Sequence, residues 1–84
     1  MTNPPDPLSQ IEQELGTSSA ELARHHQQLE QLRGQLDALQ ASGHDPAEML
    51  RVQMKLQQIA LQAELTAKVV AKSEQSIDDL LKGS

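Results

Sequence analysis

The chain has 84 residues and a formal net charge of −5, and it contains no Phe, Tyr, Trp or Cys. So short a chain forms one structural unit at most, and without aromatic rings its core is thin, a deficit that small chains commonly make good by oligomerising. Missing cysteine rules out disulfides, thiolate ligands and thiol nucleophiles, and the seven Lys and Arg are too scattered to form the basic face of a nucleic-acid binder or an anionic-membrane binder.

The first residues, MTNPPDPLSQ, carry Pro4, Pro5 and Pro7, which fix φ and restrict the residues before them, so residues 1–7 are expected to form an extended, mobile lead. The same stretch has neither a basic n-region nor an apolar h-region and does not read as a Sec signal. No apolar run approaches the roughly 20 residues of a transmembrane span, and no direct membrane insertion is expected.

From Leu8 the spacing is heptad. Leu8, Leu15, Leu22, Leu29 and Leu36 hold one position, and Ile11, Ser18, His25, Leu32 and Leu39 hold the other. That pattern predicts a first helix over residues 8–40 with a coiled-coil seam. Gly16-Thr17-Ser18-Ser19 is poor helix material, so a break is expected near residues 16–19. Residues 41–45 then read as a turn: Gly43 suits a left-handed helix end, Asp45 a cap and Pro46 a first helical position, with Glu48 placed to complete a capping box.

A long second helix is predicted over residues 46–82, uninterrupted by Gly or Pro beyond Pro46. At 100° per residue its apolar side chains form two stripes. Met49, Val52, Leu56, Ile59, Ala63, Val70, Ile77 and Leu81 lie on one side, and Leu50, Met54, Leu61, Leu65 and Val69 on another. One partner helix covers one stripe, so the second requires a neighbouring subunit. The expected fold is all-α: an antiparallel helical hairpin with a short turn and a long C-terminal helix, assembling into a helical oligomer.

Sites for chemistry are not apparent. His25 and His26 are adjacent and diverge by about 100° on a helix, and His44 lies in the turn, which is not a metal-ligand spacing. Acidic pairs such as Asp78-Asp79 have no cleft that would separate their pKa values. No cofactor, metal or catalytic residue is expected, and the chain does not read as an enzyme.

The second helix, DPAEMLRVQMKLQQIALQAELTAKVVAKSEQSIDDLLK, resembles the C-terminal region of inner rod subunits of bacterial type III secretion systems. The resemblance is carried by Asp45-Pro46, Leu50 to Gln53, Glu64-Leu65, Lys68-Val69-Val70 with Lys72, Ile77, and Leu80-Leu81-Lys82. It implies a structural subunit exported by its own secretion machine. Such subunits assemble in the envelope-spanning basal body, connect export gate to needle and line the conduit. Implied partners are further copies of the chain, needle subunits and export-gate proteins. The related needle subunits are helical hairpins of similar length with a proline-containing turn, and are the nearest alternative. The lack of aromatics, often present in needle hairpins, favours rod over needle. A cytoplasmic coiled-coil adaptor or chaperone-like module is the rival from another class. On the leading reading the subunit interface comprises Leu56, Ile59, Leu61, Leu65, Val69, Val70, Ile77, Leu80 and Leu81, with Gly43, Asp45 and Pro46 forming the turn.

Overall fold

The computed structural model describes residues 6–43 and 45–83. Two α-helices account for nearly all of them, α1 over Pro7–Ser42 and α2 over Pro46–Lys82. At 1.5 Å per residue each is about 55 Å long. They pack side by side as an antiparallel hairpin measuring 61 × 29 × 15 Å. The radius of gyration is 18.8 Å, against about 12 Å for a compact domain of this length.

Local chemistry sets the ends of the helices. The Asp6 carboxylate accepts a hydrogen bond from the Ser9 backbone N–H at 2.7 Å, and Pro7 fills the first helical position, where no N–H is needed. At the other end of α1, the Ser42 hydroxyl donates to the Ala38 carbonyl at 2.7 Å. Gly43 then turns left-handed (φ 66°, ψ 35°) and its N–H bonds to the Leu39 carbonyl. The Asp45 carboxylate accepts from the Ala47 N–H at 3.0 Å and starts α2. Glu48 contributes its backbone N–H to the Asp45 carbonyl, 3.1 Å, so the expected capping box is replaced by a shorter Asp45–Ala47 bond. Of the expected extended lead, residues 1–5 lie outside the described residues, as does His44 of the turn.

The seam follows the heptads. Leu8, Ile11, Leu15, Ser18, Leu22 and His25, then Leu29, Leu32, Leu36 and Leu39, are the buried or half-buried positions of α1. On α2 the inward set repeats the same three- and four-residue steps, from Met49, Val52, Leu56 and Ile59 through Ala63, Thr66 and Val70 to Ser73 and Ile77. Leu29, Ile59 and Ala63 form the buried centre, packed by Leu22, Leu32 and Leu56. The antiparallel register shows in the grooves along the seam. Gln35 and Leu39 border one with Glu48 and Val52 near the turn, and Ile11 and Glu14 border another with Val69 and Ser73 at the open end.

One expectation is corrected. α1 runs unbroken through residues 16–19. Ser18 is buried in the seam, and the Thr17 hydroxyl donates to the Gln13 carbonyl at 3.1 Å, an i to i−4 bond made within the continuing helix. Packing against α2 outweighs weak local propensity. The helix also extends beyond Gln40 to Ser42, leaving a tighter turn than residues 41–45.

Two measurements test this account. Ile59→Ala should lower hairpin stability by about 2–5 kcal/mol in urea unfolding at concentrations where the chain is monomeric; a loss under about 1 kcal/mol contradicts the placement of the core. The hydrogen bonds from Ser9 hold the Asp6 carboxyl below its usual value. Its contribution to α1 is therefore present above the unfolded carboxylate pKa and lost as pH falls below about 4. Amide protection in the first turn of α1 should fall over that window, and Asp6→Asn should remove the pH dependence.

Candidate functional site

The hairpin covers only one of the two stripes on α2. Leu50, Met54, Leu61 and Leu65 are 54–61% exposed, and Val69 and Leu80 are each 40% exposed. Every large apolar side chain exposed among the described residues lies on α2. Leu50 to Val69 spans about 29 Å of helix. An exposed apolar face of this length marks an interaction surface.

The total accessible surface points the same way. It is 6427 Å², whereas a compact monomer of 9.2 kDa exposes about 4,900 Å². The excess arises because two helices meet along one line and leave their outer sides to solvent.

The nine residues expected at a subunit interface divide between two faces. Leu56, Ile59, Val70 and Ile77 are buried or half-buried in the seam against α1, where they build the hairpin itself. Leu61, Leu65, Val69, Leu80 and Leu81 are exposed. Leu81, placed by periodicity with the inner stripe, is 60% exposed because it lies at the end of the hairpin. Leu50 and Met54 belong with the exposed group although they were not assigned to the interface. The available signal was that they share a stripe with Leu61 and Leu65, while the heptad steps continue only through the other stripe.

Charges on α2 are arranged as solvated pairs. Lys82 Nζ lies 2.9 Å from Asp78 Oδ2, and Gln75 donates to Asp79 at 3.1 Å. Lys68 and Glu64 approach to 4.0 Å with both side chains largely exposed, a pair that contributes little. In the seam His25 places Nε2 3.6 Å from Glu21 Oε1, while its Nδ1 is buried without a hydrogen-bond partner among the described residues. His26 points outward. Among the described residues no three His, Cys, Asp or Glu side chains gather as metal ligands, and no helix is long and apolar enough to cross a membrane.

Fold and surface together define a class: a two-helix coiled-coil hairpin with an uncovered apolar face on its second helix, the form of a structural subunit. A family model described as "Type III secretion needle MxiH, YscF, SsaG, EprI, PscF, EscF" matches residues 7–83. The chain belongs to this type III secretion needle family. The match runs through both helices, including α1, where the resemblance to inner rod subunits had no counterpart, and the family is that of the needle. No curated protein and no solved structure gives a significant match.

The exposed face can be tested without any assembly. Replacing Leu61 and Leu65 together with Ser should change the stability of the isolated hairpin by less than about 1 kcal/mol, since neither packs in the seam. It should also reduce binding of the apolar dye ANS. A large loss of stability would place these leucines inside the fold.

Proposed function

We infer that the chain is a structural, non-enzymatic subunit that polymerises as the needle filament of a type III secretion apparatus. The observation carrying this reading is the needle-family match across residues 7–83. The apolar face of α2 supports it: Leu50, Met54, Leu61, Leu65 and Val69 are left for a neighbouring copy to cover, with Leu80 and Leu81 at the hairpin's end. The inner rod, favoured by the text of α2 alone, gives way to the needle because the family match extends over α1 as well.

The thin core suits export by the subunit's own machine. Among the described residues only Leu29, Ile59 and Ala63 are buried apolar residues, so little packing has to be undone before the chain passes a narrow channel. Assembly then adds the burial the isolated hairpin lacks. On this reading the partners are further copies of the chain and the export-gate end of the apparatus, and the destination is the cell envelope and beyond.

Fractionating cells with and without a working secretion ATPase tests the proposal. The chain should enter extracellular filaments only when the ATPase works. Leu65→Asp should remove the filaments while leaving expression and helicity intact, because it places a charge on the covered face. A wild-type chain that stays soluble inside both strains, or a Leu65→Asp variant with normal filaments, would overturn it.

A further inference from the structure

We propose that the groove between the helices at Arg51 and Lys55 binds a small amphiphile with an anionic head and a hydrocarbon tail, of the class of a medium-chain carboxylate. The groove encloses about 420 Å³ and takes its walls from both helices. Gln28, Gln31 and Gln35 stand at three- and four-residue steps along one ridge of α1, and Arg51 and Lys55 stand one turn apart on α2. Between the walls Leu32 and Val52 form an apolar floor, and the seam leaves both only half-buried. A volume of this size suits a small molecule. A partner helix, about 10 Å across, is too large for it.

Charge selects the head group. The groove at the open end carries both Glu14 and Lys72, and the groove beside the turn has Glu48 as its charged side chain. Here two cations line the walls and no acid does. Neither Arg51 nor Lys55 forms an ion pair among the described residues. Like charges one turn apart weaken a helix, and an anion seated between them removes that repulsion. The guanidinium and the ammonium both donate charge-assisted hydrogen bonds that suit a carboxylate. The chain as a whole carries −5 and repels anions, so an exposed cation pair alone holds a bare anion weakly. A tail lying on Leu32 and Val52 adds the apolar burial that a bare anion lacks. Such a ligand touches both helices at once and stabilises the closed hairpin by mass action.

Titrating decanoate, below its micelle concentration, into monomeric full-length chain and following NMR chemical shifts tests the site. The changes should saturate and centre on Gln28, Gln31, Gln35 and Val52. Acetate, which lacks the tail, and decyltrimethylammonium, which reverses the charge, should bind at least tenfold more weakly. Arg51→Gln with Lys55→Gln should cost at least tenfold in decanoate affinity while keeping the wild-type melting curve by circular dichroism. Lys72→Gln, in the groove at the open end, should bind like wild type. Decanoate should also raise the melting temperature of the wild-type hairpin and leave that of the double variant unchanged. Shifts that spread instead over Leu50, Leu61 and Leu65 mean adsorption to the exposed apolar face and overturn the site. Undiminished binding by the double variant, or acetate binding as tightly as decanoate, overturns it too. The needle reading is untouched by these outcomes, because filaments are not what is read.

Discussion

Two helices meet along a single line, and that geometric limit governs the rest of this structure. Each helix can bury one stripe about three residues wide per two turns. Here the line is drawn by matched three- and four-residue steps on α1 and α2, and it closes over a centre of Leu29, Ile59 and Ala63. With no aromatic ring to deepen it, the seam cannot reach beyond that line. Everything apolar that falls off the line is exposed, and α2 carries enough of it to form a second face.

The seam is also diluted by design or tolerance at several levels. Ser18 and Ser73 are buried in it, and His25 stands where a leucine would continue the heptad. Serine packs less apolar surface than leucine, and the orphaned His25 Nδ1 is a small added cost. These substitutions keep the register while weakening the pairing. A hairpin of this kind is held by its caps and turn as well as by its core. The Asp6 and Asp45 carboxylates and the left-handed Gly43 fix where each helix starts and where the chain reverses.

Much of the fold was legible because its periodicity is written directly into residue types. The heptad positions of α1 are its buried positions, and Gly43-to-Pro46 announces the reversal. The error at residues 16–19 came from weighing local propensity alone, since nothing local says that Ser18 faces α2. The candidate surface was half legible. Periodicity separates the two stripes of α2, but it does not say which one a partner in the same chain takes. The decisive clue was continuity: the inner stripe keeps heptad steps through Thr66 and Ser73 even where the residues are polar, whereas the leucines at 50, 61 and 65 have no such frame. The text of α2 alone pointed to the rod, whereas the needle-family match covers α1 as well.

An uncovered face and a weak core are two consequences of one division of apolar residues. Moving Leu61 and Leu65 to seam positions such as Thr66 and Ser73 would give a firmer monomer with less to offer a neighbour. The observed distribution does the reverse: it places serine and threonine inside and leucine outside. Folding free energy is thereby shifted from the single hairpin to contacts between molecules, where it grows with subunit concentration. A chain arranged this way is easily opened while alone and held firmly once its outer face is covered. The same leucines that leave the monomer marginal are then the ones available to stabilise an array.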